Sequence, residues 1–422
     1  MVTAPPAPAS RLDPSDLLDD LRPDLKTASS LLLVQDLDGV CMDLVLDPLQ
    51  RQLDGNYVQH VRLLDGRFSV LTNGEHEGQR GVNRLVERAV KGRNDPARDG
   101  LYLPGLAAGG VQLQNRFASV STPGVQAAEL AFLAALPQRM SEELRQWLPA
   151  LLPQLDSHQL NQEIQRAVLD NPLSPTVNLN GLFSLTSAWE QPLRLAVSLQ
   201  EGLLELMQRL LLESEQQGLT GSFFLHLAPN FLGANGQEQP VWASAEGIGT
   251  TDIQFMLRGA VKEAGLLVLI NEHIARHHGQ HPLGRDFSVR TAPHSHAELV
   301  ALAEERIPPA LMPRLVGIGD TITSRPGSTP GQWLRGGSDR GFLTLLQELG
   351  ERFDRPNRVV LVDSSGGEVC RPSMRGGKLE GLTDADDPLR LDTLFPDGPK
   401  QYRAFVAALA ASLTPTASPD QS

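Results

Sequence analysis

Apolar residues along this chain come in two textures. Short unbroken runs, LLLVQ at 31–35, GRFSVLTN at 66–73, RLVGIG at 314–319 and RVVLV at 358–362, stop abruptly at Asp, Asn or Gly. Runs of that length predict strands covered on both faces, as in a parallel sheet. Between them, 77–91, 295–306 and 340–352 carry apolar residues at helical spacing,. A short helix is expected over 16–28 and a final one over 399–413. The stretch LYLPGLAAGGVQLQN at 101–115 predicts a strand, a Gly-rich turn and another strand,. Alternation of this kind predicts an α/β fold, a Rossmann-like parallel sheet flanked by helices.

The texture changes near residue 119. Residues 125–170 and 192–217 are rich in Leu, Gln, Ala and Glu at helical spacing, and strands are expected at 221–230 and 234–244. We read 119–249 as an inserted α/β lobe. The core is then 29–118 and 250–415, with an extension at 1–28 and a disordered tail at 416–422. Thr250 and Thr251 read as caps of a long helix over 252–278, and the Gly/Pro/Ser-rich 321–338 as a loop.

Composition narrows the classes. The chain has 422 residues, 41% of them hydrophobic, enough for two or three domains with sizeable cores,. No apolar run approaches the ~20 residues of a membrane span, and the opening MVTAPPAPASRLDPSD lacks the apolar centre of a secretory leader,. Cys41 and Cys370 are the two cysteines; a reduced, cytoplasmic protein is expected. A net charge of −13 argues against nucleic-acid and membrane partners,. A small anionic substrate is still possible, met by a metal ion and local cations.

The candidate chemistry begins at DLDGV. Asp36 and Asp38 stand two apart at a strand end and are expected on one face. That end is the edge where open α/β sheets bind ligands. Two close carboxylates repel, and a hard cation such as Mg²⁺ is the natural offset. Taken alone, the stretch reads equally well as a strand with an Asp-Gly turn. The next strand ends in Thr72-Asn73-Gly74 and a later one in Asp320, which a parallel sheet would bring to the same edge. Three carboxylates and a hydroxyl there suit phosphoryl transfer through a carboxylate nucleophile. The loop histidines His277, His278, His281 and His294 lack the spacing of a closed zinc site and read as ordinary loop residues.

DLDGV, the strand-terminal Thr72 and GIGD ending in Asp320 resemble the motifs of the haloacid-dehalogenase-like hydrolase superfamily. The insertion is similar to the cap of phosphatases acting on trehalose- or sucrose-phosphate. The longer blocks QDLDGVCMDLVLDPL, YLPGLAAGGVQ, GIGDTITSRPG and LRGGSDRGF resemble the glucosylglycerol-phosphate phosphatases, the salt-tolerance phosphatases of cyanobacteria.

The resemblance implies a haloacid-dehalogenase core with an inserted α/β cap. It implies Mg²⁺-dependent hydrolysis of glucosylglycerol 3-phosphate through an aspartyl-phosphate, in compatible-solute synthesis. Asp36 would be the nucleophile, and Asp38 the acid and then the base. Thr72, the Asn73 amide and Gly74 would hold phosphate oxygens. Asp36, the Asp38 backbone carbonyl and Asp320 would bind Mg²⁺. The family places a lysine between cap and last acidic motif. Of Lys26, Lys91, Lys262, Lys378 and Lys400, Lys262 alone lies there; Arg258 is the fallback, and a solvent-facing helix lysine is the plainer reading. The Asn and Asp usual in related enzymes three and four residues after the acid are Thr323 and Ser324 here, so Asp339 of GGSDRG is the candidate second acid. Asp363 reads as a turn cap. His226, Asn230, Glu246 and Thr250 are expected to meet sugar hydroxyls. The synthase that makes the phosphate ester is the expected functional partner. The alternatives are a phosphatase of another sugar phosphate, a phosphomutase, or a phosphate-binding regulatory module without turnover.

Overall fold

The computed structural model describes residues 11–233, 238–245, 247–327, 329 and 331–413. Expectations for the first ten residues, Glu246 and the tail at 416–422 lie outside these. In chain order, α1 (Pro14–Leu21) leads to β1 (Leu31–Gln35), α2 (Gly55–Leu63), β2 (Phe68–Leu71), α3 (Val82–Ala89), β3 (Gly105–Ala107), β4 (Gln112–Gln114) and β5 (Val120–Ser121). Then come α4 (Ala127–Leu151), α5 (Ser157–Ala167), β6 (Val168–Leu169), β7 (Thr176–Asn178), α6 (Asn180–Thr186), α7 (Pro192–Gln216), β8 (Phe223–Ala228), β9 (Asn230–Leu232), β10 (Glu238–Pro240) and β11 (Asp252–Leu257). The chain continues through α8 (Lys262–His278), α9 (His296–Arg306), β12 (Arg314–Gly319), β13 (Thr323–Pro326), β14 (Trp333–Gly336), α10 (Arg340–Arg352), β15 (Arg358–Val362), β16 (Thr393–Phe395) and α11 (Gly398–Ala411).

Eight strands form the main sheet in the order β16-β15-β12-β1-β2-β3-β4-β5. The six from β16 to β3 pair in parallel, and β4 and β5 add an antiparallel margin. Both faces are covered, which is why the strand sequences are apolar throughout. Successive side chains leave a strand on opposite faces. Leu31 and Leu33 accordingly join one buried cluster with residues of α1, α2 and α11, while Leu32 and Val34 join the other with α8 and α10. Gln35 ↔ Ile318 is the last β1–β12 register pair, so Asp36 and Asp320 leave the sheet at the same edge.

A second, antiparallel sheet has the order β6-β7-β11-β8, and α7 packs on β8 and β11. Here the sequence reading needs correction. Residues 252–257 do not start a helix; they form β11, paired with β7 and β8 of the inserted lobe. Burial alternates over Asp252–Phe255, as in a half-buried strand, and is continuous from Phe255 to Leu257,. Helix α8 starts only at Lys262, after a turn at Gly259. Thr250 and Thr251 are not helix caps. The Thr250 hydroxyl donates to the Pro229 carbonyl at 2.7 Å and accepts from the Val241 amide at 2.8 Å. Further elements escaped the sequence reading, among them α2, capped by the Asp54 carboxylate, β6, β7 and α6 of the lobe, the β13–β14 hairpin within 321–338, and β16. Among the described residues, no helix is long and apolar enough to cross a membrane.

Candidate active site

The carboxyl edge of the main sheet carries a compact charged cluster. The Lys262 ammonium, at the first turn of α8, lies 2.8 Å from Asp36 Oδ2 and 2.7 Å from Asp339 Oδ1. It is 3% exposed, not a solvent-facing helix lysine. Arg258, the fallback, is exposed on the turn after β11. Burial works against the Lys262 charge, but the two carboxylates outweigh it and hold the ammonium charged well above the usual lysine range,.

Each carboxylate has its own support. Asp36 Oδ1 accepts from the Leu37 amide at 2.8 Å. Its backbone carbonyl accepts from Gln35 Nε2 at 2.9 Å, and Gln35 is itself pinned by the hydroxyls of Tyr57 and Tyr402. Asp339 Oδ2 accepts from the amides of Asp320 and Thr321, each at 2.9 Å. Asp320 Oδ1 accepts from the Thr321 hydroxyl at 3.0 Å, whereas Asp320 Oδ2 is buried without a partner. Burial pushes Asp36 up to about 7 against the pull of Lys262, and burial with the neighbouring Asp339 and Asp36 charges pushes Asp320 up to about 8.

These residues fit a divalent cation on three counts. One oxygen each from Asp36, Asp320 and Asp339 lies within 4.8 Å of the others. All the donors are hard oxygens, the choice of Mg²⁺. The bare Asp320 Oδ2 faces space that only a glycine leaves open: a Cβ on Gly39 would come within 2.5 Å of Asp320 Cγ, and Gly39 has φ +76°.

Beside the cluster, Asp38 is gripped by Arg51, whose Nη1 lies 3.2 and 2.9 Å from the two carboxylate oxygens. Thr72 is buried at the end of β2, and its Oγ1 accepts from the Gly74 amide at 3.2 Å. A cavity of about 200 Å³ joins these residues to the inserted lobe. Its walls include Asp36, Asp38, Thr72, Asn73 and Gly74 from the core and Asn178, Asn180 and Gln254 from the lobe.

Not every expected residue reaches this cavity. His226 and Asn230 do not line it. His226 Nδ1 lies 2.7 Å from Glu238 Oε1, and its Nε2 accepts from Asn73 Nδ2 at 3.0 Å. Burial opposes a charge on His226, but Glu238 outweighs it and raises the imidazole pKa. Asn230 Oδ1 accepts from the Gly337 amide at 3.2 Å. Both side chains are committed to joining lobe and core. Asp363 caps a turn, accepting from the amides of Ser365 and Met374 at 2.8 and 2.7 Å.

Several wall residues went unnoticed in the sequence, Arg51, Asn178, Asn180 and Gln254 among them, and two more stand out. Glu75 follows the Thr72 motif and bonds across to the lobe. Arg371, in the polar stretch after β15, borders this cavity and a neighbouring one of about 250 Å³. It forms no ion pair among the described residues; its Nη1 donates to the Cys370 carbonyl at 3.4 Å. Nothing in its surrounding sequence marks it.

A parallel sheet with this aspartate pair, a strand-end threonine, a buried lysine and a distant aspartate at one edge defines a haloacid-dehalogenase-like hydrolase. The sequence profile of glucosylglycerol-phosphate phosphatases matches residues 30–410. The glucosylglycerol-phosphate phosphatase of Synechocystis sp. is 47% identical over 393 residues, covering 90% of this chain and 92% of that protein. The chain belongs to the glucosylglycerol-phosphate phosphatase family and is a phosphoric monoester hydrolase. Solved structures are similar only distantly. Trehalose-6-phosphate phosphatase of Aspergillus fumigatus has a TM-score of 0.38 at 9% identity, covering 93% of this chain and 97% of its own. The C-terminal domain of the trehalose synthase regulatory protein of Candida albicans has 0.39 at 9%, covering 95% and 98%.

Proposed function

We propose that this protein hydrolyses glucosylglycerol 3-phosphate to glucosylglycerol and phosphate, with Mg²⁺, through an aspartyl-phosphate on Asp36. The observation that carries this reading is the buried Asp36–Lys262–Asp339 bridge beside the unpartnered Asp320 Oδ2. The name of the Synechocystis relative supports the substrate.

Asp36 Oδ attacks phosphorus, and the bond from phosphorus to the ester oxygen breaks. Asp38 gives that oxygen its proton, so the polyol leaves neutral. Asp38, now a carboxylate, draws a proton from water as the water oxygen attacks the same phosphorus. Phosphate departs, and Asp36 is a free carboxylate again. Arg51 holds the Asp38 side chain beside the site, and an arriving phosphate dianion competes for that guanidinium. Lys262 keeps Asp36 aimed and offsets charge on the phosphoryl oxygens. Thr72, the Asn73 amide and Gly74 hold those oxygens, and Arg371 is free to approach them. The carboxylates of Asp36 and Asp320 and the Asp38 carbonyl would hold Mg²⁺, with Asp339 orienting Asp320 and Lys262. When bound, Mg²⁺ adds positive charge beside the transferring group. The lobe closes the cavity against water. The product is an uncharged polyol, suited to act as a cytoplasmic compatible solute. The enzyme works after a synthase that makes the ester.

Release of inorganic phosphate from the purified protein tests this reading. Glucosylglycerol 3-phosphate is compared with sucrose- and trehalose-phosphate, with Mg²⁺ and with EDTA. The expected result is Mg²⁺-dependent preference for the first, abolished in Asp36→Asn. Preference for another ester, or no turnover with any, overturns it.

A further inference from the structure

Among the described residues, thirteen buried side-chain nitrogen and oxygen atoms lack a hydrogen-bond partner. Six of the thirteen belong to residues lining the one cavity of about 200 Å³: Glu75, Arg80, Asn180, Gln254, Asp320 and Arg371. Such atoms are uncommon in folded proteins, and each bare acceptor costs roughly 1–3 kcal/mol. Their concentration around one cavity marks a place where a ligand completes the bonding. Asp320 Oδ2 belongs to the cation cluster, and the arginine atoms sit on cations. The remaining three are acceptor oxygens: Glu75 Oε2, Asn180 Oδ1 and Gln254 Oε1.

We propose that Glu75, Asn180 and Gln254 form the subsite that takes the hydroxyls of the leaving polyol. The proposal rests on the sugar-phosphate reading above and names the residues that discriminate its leaving group. Glu75 is 3% exposed, and its Oε1 is saturated. That oxygen accepts from the amides of Leu173 and Ser174, both at 2.7 Å, and from the Ser174 hydroxyl at 2.9 Å. The lobe is thereby tied to the core through one oxygen of the carboxylate while the other is left bare. A hydroxyl donated to Glu75 Oε2 would pair the oxygen that the lobe contacts leave bare.

Asn180 and Gln254 come from the lobe, at the start of α6 and on β11. Their setting is fixed: Asn178 Oδ1 accepts from the Asn180 amide at 2.9 Å, and Asn178 Nδ2 donates to Asp252 Oδ1 at 2.8 Å. A polyol, with several hydroxyls that donate and accept together, matches three separated acceptors; a leaving group without hydroxyls matches none of them. A site built to bond a hydroxyl rejects the analogue lacking it far more strongly than an apolar pocket does.

The test is the ratio of kcat/KM for glucosylglycerol 3-phosphate to kcat/KM for p-nitrophenyl phosphate, whose leaving group has no further hydroxyls. Glu75→Gln, which keeps an acceptor for the Leu173 and Ser174 amides, is measured with Asn180→Leu and Gln254→Leu. Each variant is expected to lower the ratio at least tenfold, mainly through KM, and to weaken inhibition by free glucosylglycerol at least fivefold. A merely structural role would depress both substrates alike and leave the ratio unmoved; that result, or a ratio within twofold of wild type, overturns the proposal. Should wild type prefer another disaccharide phosphate, the functional reading fails by itself. The same ratio taken with that ester then still decides the subsite.

Discussion

The ammonium of Lys262 and the carboxylate of Asp36 flank the whole inserted lobe in sequence, yet they lie 2.8 Å apart in a site almost closed to solvent. β1 delivers the carboxylate, the first turn of α8 delivers the ammonium, and Asp339 completes the bridge from the start of α10. A buried ion pair of this kind is poor evidence for stability, since desolvation offsets much of the attraction. It is better evidence of a site where charge is held ready.

Lys262→Ala therefore leaves two buried carboxylates without their cation. Removing a preorganised donor of transition-state charge costs roughly 10²–10³ in kcat, and breaking a buried pair costs about 3–5 kcal/mol of stability. Lys262→Arg is expected to rescue little, because a planar guanidinium does not replace a compact ammonium between two carboxylates. Steady-state kinetics and thermal melting of both variants measure this. A Lys262→Ala enzyme within tenfold of wild type, or a larger loss in Arg258→Ala, would reverse the assignment.

Gly39 is the second expectation. Its φ of +76° suits glycine, and a side chain there would press on Asp320 Cγ and come within 2.9 Å of Ser364 Cβ. Ala in such a conformation costs roughly 1–2 kcal/mol before any clash. The clash falls on the carboxylate whose Oδ2 has no partner. Gly39→Ala should fold yet lack the rise in Tm that added Mg²⁺ is expected to give wild type, because a ligand stabilises the state that binds it. An equal rise in Tm together with normal turnover would show that Gly39 does not shape the cation site.

How much of this was legible beforehand follows from the physics of each part. The strands of the sheet could be read because both faces are buried, so LLLVQ and RLVGIG are apolar throughout. The gathering of Asp36, Thr72 and Asp320 followed from parallel pairing alone. Residues 252–257 were misread because a strand runs into a helix across only four residues, and the turn at Gly259 was the signal to heed. Asp339 could be nominated from its motif, but not its bond to Lys262, which depends on where α8 begins. The bonds that His226 and Asn230 already make could not be read: sequence shows that a polar side chain is available, not that its hydrogen bonds are already spoken for. Glu75 and Arg371 show the converse. An unmatched oxygen or an unpaired guanidinium is a property of the packed molecule.

The acid stability of the fold provides the last prediction. His76 follows the Thr72 motif and is fully buried. Its Nε2–H donates to the Gly105 carbonyl at 3.1 Å, and its Nδ1 accepts from Gln114 Nε2 at 3.3 Å. That arrangement requires the neutral ring, and burial lowers its pKa to about 4 from an ordinary 6.5. Between those values the unfolded chain takes up a proton that the folded chain refuses. The contribution of His76 is therefore whole above pH 6.5 and is lost as the pH falls toward 4, by about 3 kcal/mol at most. Asp36, Glu75 and Asp320, with raised pKa values, act in the opposite direction, so the wild-type profile alone does not isolate this residue. A difference does: denaturant unfolding of wild type and His76→Gln at pH 7 and pH 4.5 should show the gap between them shrinking by about 2–3 kcal/mol at the lower pH. A gap that stays constant across that interval would mean the imidazole is not held neutral by the fold.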